Sequence, residues 1–207
     1  MNTNVLLEVE PNLISSFFGL LGFGFFVDVK TGCSLKEFLL DHMGLDPEYI
    51  ESRIQTIFFD GKAVDNIEKC VIKNGSSIAL SAAMPGVVGA TLRRKGHYAS
   101  MRSQISHEDE SSLGSNINGR VIVKLFNLIA KELGTELLGN GIRIQHNDFK
   151  RFIEKLDKDA IGSIKFAQIN EKILDGTGSV LSGLKGEEIF LQVRSYQPPP
   201  SGGNTPS

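Results

Sequence analysis

The chain of 207 residues contains only two cysteines, Cys33 and Cys70. That excludes a disulfide framework, a four-cysteine zinc site and a ferredoxin cluster. Two free thiols in a reducing cytoplasm are the expectation. Net charge is scarce too: a balance of -2 gives no overall attraction to nucleic acid or acidic lipid. His42, His97, His107 and His146 lie in separate stretches without ligand spacing, so neither a metal nor a cofactor is expected. No isolated carboxylate pair or nucleophile–base set appears, and an enzyme is not expected. The most apolar stretch, "LISSFFGLLGFGFFV" at 13–27, falls short of the roughly 20 apolar residues of a membrane-spanning helix. Gly19, Gly22 and Gly24 interrupt it, and Glu8 and Glu10 precede it where a signal peptide carries Lys or Arg. No membrane insertion is expected.

What is present is an ordinary globular balance, 41% hydrophobic and 22% charged. It carries an internal repeat. "NVLLEVEPNLISSFFGLLGFGFFVDV" lies beside "RVIVKLFNLIAKELGTELLGNGIRIQ", sharing Asn-Leu-Ile and then Leu-Leu-Gly-x-Gly. "SLKEFL" then faces "NDFKRFI", "IQTIFFDGKAV" faces "IGSIKFAQINEKIL", and "KNGSSIALS" faces "LKGEEIFLQ", with the offset near 110 to 117 residues throughout. The second copy carries Lys131, Glu132, Glu136 and Arg143 where the first has its uncharged stretch. Residues 13–27 therefore read as a short helix, a turn and a strand.

Each copy reads as strand, helical turn, strand, helix, strand, hairpin, strand. Ser34 and Glu37 have capping-box spacing ahead of a helix at 34–43, with Leu35, Phe38, Leu39 and Met43 on one face. In the second copy Asn147 or Asp148 is the cap, and Phe149, Phe152, Ile153 and Leu156 form the stripe. Asp60-Gly61 suits a two-residue hairpin, with Asn170-Glu171 in its place downstream. The fold class expected is α+β, as two small mixed sheets with one principal helix each. The domains expected are 1–92 and 119–196, joined by a basic patch and polar linker at 93–118 and followed by a Pro/Gly/Ser tail at 197–207.

The strand–strand–helix–strand–hairpin–strand order resembles the ubiquitin-like β-grasp. "IFFDGKAV" with "IKNGSSIALSAAMPG", and "VKLFNLIAKELG" in the second copy, resemble the MoaD/ThiS family, the small subunit of molybdopterin synthase and the thiamine sulfur carrier. The resemblance covers about 80 residues of each copy. It implies two tandem β-grasp domains, a fold that hosts carriers, RNA-binding modules and protein adaptors. It also implies chemistry at a free C-terminal Gly-Gly, for which Gly202 and Gly203 qualify only after removal of Asn204 to Ser207.

The function expected is a non-catalytic, cytoplasmic protein-binding or adaptor module, acting on a protein partner or by self-association. The sulfur-carrier role is the alternative. A third is an RNA- or anion-binding module using Arg93, Arg94, Lys95, His97 and Arg102, although the acidic "HEDE" downstream balances that patch and nucleic acid is not expected. Phe17, Phe18 and Phe23 stand where the second copy has Glu132, Leu133 and Asn140, so the fold does not require three aromatics there. That marks them, or two of them, for an interface between copies, between subunits or with a partner. Cys33 precedes the Ser34 cap, where a helix N-terminus lowers a thiol pKa; an inert loop thiol is the other reading.

Overall fold

The computed structural model describes residues 3–97, 117–174, 184 and 186–198. The chain opens with strand β1 (Thr3–Val9), a 3-10 helix η1 (Pro11–Gly22) and strand β2 (Phe25–Lys30). Helix α1 (Leu35–Glu37) runs directly into a π turn at Phe38–His42. Then come α2 (Pro47–Ser52), β3 (Thr56–Phe59), β4 (Lys62–Ala63), β5 (Ser77–Ser81) and α3 (Gly86–Leu92). The second copy repeats this order: β6 (Asn118–Phe126), α4 (Asn127–Asn140), β7 (Ile142–Gln145), α5 (His146–Lys155), α6 (Lys158–Gly162), β8 (Ile164–Ile169), β9 (Lys172–Ile173) and β10 (Glu188–Ser195).

Local chemistry explains most of these elements. Ser34 and Glu37 form the capping box, with the Glu37 backbone N–H donating to Ser34 Oγ at 3.1 Å and the Ser34 N–H donating to Glu37 Oε2 at 2.7 Å. Asp60 and Gly61 both take positive φ, +48° and +80°, as a tight hairpin turn requires. Asn170 holds φ +52° at the equivalent turn, where its Oδ1 accepts from the Asn4 N–H. The α5 cap differs from expectation: the helix starts at His146, and no side chain caps it. The last glycine of each Leu-Leu-Gly-x-Gly is also explained. Gly24 and Gly141 take φ +116° and +99° directly before β2 and β7. A Cβ would sit 2.8 Å from Ile122 Cγ2 at the first and 2.3 Å from Phe190 Cζ at the second, so both positions exclude a side chain.

The fold is mixed α+β, but the two small sheets expected are one sheet of ten strands. Its order is β4-β3-β5-β6-β2-β7-β10-β1-β8-β9. Read from either end, the pairing runs antiparallel, antiparallel, parallel, antiparallel, with β2 and β7 antiparallel at the centre. Strands of the two copies interleave. β6, from the second copy, lies parallel to β5 of the first, with Leu125 opposite Leu80. β1, from the first copy, lies between β10 and β8 of the second, with Leu7 opposite Val193 and Ala167. The boundary expected at 93–118 therefore does not divide the strands into two sheets.

Burial follows the same plan. One hydrophobic cluster takes residues from both copies, from Val5 and Phe17 through Ile78 and Val123 to Phe149 and Val193. In η1 the row Ile14, Phe17 and Leu20 is buried, which is the spacing of a three-residue turn. This helix packs on α4 and against β6, β10 and α5.

At the centre only Phe26 and Arg143 pair across β2 and β7. Side chains supplement that thin junction. Arg143 and Arg120 both reach Asp28, and Arg120 Nη1 also donates to both carboxylate oxygens of Glu188, at 2.7 and 2.9 Å. The Arg120 guanidinium lies 4.8 Å over the Phe26 ring. Burial pushes the Asp28 carboxyl up, but hydrogen bonds from Arg143 and Arg120, with their charge, hold it below its ordinary value.

Candidate functional site

The sequence-derived residues separate in space. Phe17 is fully buried, its ring centroid 5.9 Å from that of Phe152 on α5. It therefore packs between the copies and offers nothing to an external partner. Phe23 is half-buried and meets Phe152 edge-on at 6.3 Å. Phe18 is half-buried and lies over Gly134 of α4, where an added Cβ would fall 2.6 Å from its Cδ1. Gly134 thus lets η1 and α4 approach closely through a flat aromatic contact.

Phe18 and Phe23 continue into an open groove of about 810 Å³, lined by η1, the end of β6 and the first turn of α4. From η1 and the residue after it come Ser15, Phe18, Gly19, Gly22 and Phe23. The second copy contributes Leu125, Phe126, Asn127, Ala130 and Lys131. Small residues open the groove: a Cβ on Gly22 would lie 3.3 Å from the Phe126 ring and one on Gly19 3.5 Å from Phe152. Phe126 remains 41% exposed and the adjacent Leu128 47%, large apolar surfaces left in contact with water.

The backbone makes a sharp corner here. β6 passes into α4 through Asn127, which holds φ +53°. Its Nδ2 donates to Ser81 Oγ at 2.9 Å, tying the corner to the end of β5. The first turn of α4 has no acidic residue and no side-chain cap. No carboxylate lines the groove, and among the described residues Lys131 has no ion-pair partner. Arg151 stands 5.7 Å over the Phe23 ring and pairs with Asp148. The neighbouring Glu132 is taken up elsewhere, by Arg53 and the Tyr49 hydroxyl.

The basic patch serves a different purpose from the one its composition suggests. Arg94 is 8% exposed. Its Nη1 donates to the carbonyls of Ile50 and Ile54 at 3.2 and 3.1 Å, and its Nη2 reaches Glu51 at 3.3 Å. The guanidinium therefore sits at the C-terminal end of α2, where carbonyls lack helical partners and a cation is favoured. Lys95 Nζ donates to Glu51 as well, at 3.2 Å. Hydrogen bonding from Lys95 and the charge of Arg94 outweigh burial and hold the Glu51 carboxyl below its ordinary value. Arg94 is a structural anchor, not an anion ligand. Arg93 and His97 are exposed and engaged in other contacts. Arg102, Gly202 and Gly203 lie outside the described residues.

Other candidates resolve plainly. Burial raises the Cys33 thiol pKa, and the charges of Glu37 and Asp41 add to it, so the helix end does not produce a reactive thiolate. Cys70 is buried, and its Sγ donates to the Asn66 carbonyl. His42 stacks on Phe38 with centroids 5.8 Å apart. Among the described residues no group of three His, Cys, Asp or Glu is placed to hold a metal, and no helix is long and apolar enough to cross a membrane. The sequence pointed to Phe18 and Phe23 but missed the opposite wall. Phe126-Asn127-Leu128 carried a signal, two large apolar residues flanking an asparagine where a strand pattern turns into a helix. No family model matches the chain, and no curated protein or solved structure matches it.

Proposed function

We propose that the protein is a non-catalytic protein-binding module, cytoplasmic in setting, whose site is the groove between η1 and α4. The observation that carries this reading is the concave apolar surface of Phe18, Phe23 and Phe126, which remains open to water above the buried Leu125. A volume of about 810 Å³ is in the range of ligand-binding clefts, and its open shape suits a segment of polypeptide laid along it.

The finer fold reading supports the same function. Each half of the sheet contains five strands with a parallel pair inside, the pattern expected of a β-grasp whose first and last strands lie side by side. We read the molecule as two MoaD/ThiS-like β-grasp units that share strands, β6 lying beside β5 and β1 beside β10. On that reading the groove forms where the units meet, because one wall comes from each sequence copy.

A neutral peptide with a Leu/Phe stripe, titrated into isotopically labelled protein, tests the site. Shift changes should concentrate at Ser15, Gly19, Gly22, Leu125, Asn127 and Ala130. Phe126→Ser should weaken binding by about tenfold or more, the loss expected of a truncated aromatic anchor. No binding, or shifts confined to another face, would remove the groove from the account.

A further inference from the structure

Resting on that reading, we infer that the groove takes an acidic amphipathic segment of a protein partner, apolar residues on one face and carboxylates along the flank. The argument is one of charge complementarity around an apolar slot. All ten lining residues lack a carboxylate, and the one charged side chain among them is Lys131, exposed and without an ion pair among the described residues. A partner carboxylate there gains an opposite charge and displaces no existing pair.

The surroundings reinforce the sign. Glu132, next to Lys131, is turned to Arg53 and Tyr49, and Asp148 is occupied by Arg151. The local acidic groups are thus spent on intramolecular contacts, whereas Lys131 is not. The α4 macrodipole adds positive potential at the same end, with no acidic side chain in its first turn to cancel it. A basic partner would meet Lys131 as a like charge while its apolar face was seated.

An acidic peptide is favoured over a lipid surface by shape. Phe18 and Phe23 are half-buried in a concavity, so a flat bilayer cannot reach them, but a peptide side chain can. Such recognition, with apolar anchors in a groove and charges at its rim, is a general mode of helix binding. The rim charge contributes mainly to partner choice and association rate, and the apolar anchors to affinity.

The test uses three fluorescein-labelled synthetic peptides of equal length. They share one Leu/Phe stripe, with Glu, Gln or Lys on the flanks, and are titrated against the full chain. The acidic peptide should bind tightest, about tenfold over the basic one at low salt, with the preference shrinking as salt rises. Lys131→Glu, an exposed substitution, should reverse the order of the acidic and basic peptides. Equal affinities for all three would overturn the charge inference and leave the groove reading standing. No binding by any of them would overturn both. Co-sedimentation with phosphatidylglycerol vesicles in place of peptide binding would also overturn the inference, by making the surface lipid-facing.

Discussion

Leu7→Asp is expected to unfold strands far from it in sequence. Leu7 is fully buried on β1, with Val193 of β10 on one side and Ala167 of β8 on the other. An unpaired carboxylate there costs several kcal/mol, a large share of the roughly 5–15 kcal/mol that holds a typical domain together. Amide hydrogen exchange read residue by residue should show β8 and β10 losing protection at least as much as β3 and β5. Leu7→Ala should show the same ranking at about 2–5 kcal/mol, the usual range for such a truncation in a core. Intact protection at 164–169 and 188–195, with loss confined to the first copy, would mean that β1 belongs with its own neighbours in sequence.

The second large effect is expected at Arg94, where a residue that reads as surface charge behaves as a core residue. Arg94→Ala leaves the Ile50 and Ile54 carbonyls without their donor and should cost about 2–4 kcal/mol, from hydrogen bonds to a charged group. The urea midpoint should fall with little change in slope. Arg94→Lys should recover only part of the loss, because an ammonium cannot present the same planar fork. The pH dependence separates the contacts. Glu51 has a lowered carboxyl pKa, so its contribution is present above the ordinary carboxylate value and is lost as pH falls through the lowered one. The carbonyl contacts do not titrate. Most of the Arg94→Ala penalty should therefore persist in acid, and its disappearance there would assign the effect to the Glu51 pair instead.

These two residues also show how far the sequence could be read. Elements whose cause is local were legible: the Ser34 capping box, the Asp60-Gly61 hairpin, the buried stripes of Phe38 and Phe149, and the two glycines that precede β2 and β7. The repeat was legible because both copies need the same turns. What escaped was the choice of neighbour. Val5, Leu7 and Val9 make β1 a good strand whichever strand it lies beside, and alternation alone does not distinguish β10 from β5 as its partner. Arg94 escaped for a related reason. A guanidinium becomes a helix anchor only through carbonyls about 40 residues upstream, and nothing within "LRRKG" distinguishes it from Arg93. The phenylalanines divide along the same line. Phe17, marked with Phe18 and Phe23 for an interface, falls instead in the buried row of a 3-10 helix, and the groove at Phe18 and Phe23 required a wall from β6 and α4.

Long-range nuclear Overhauser contacts test most directly the claim that the two copies share strands and form the groove between them. The account predicts cross-strand contacts of Leu7 with Val193 and of Leu80 with Leu125, marking the parallel pairs β1–β10 and β5–β6. Contacts of β1 with β5 and of β6 with β10, with those two pairs absent, would show two independent domains and contradict it.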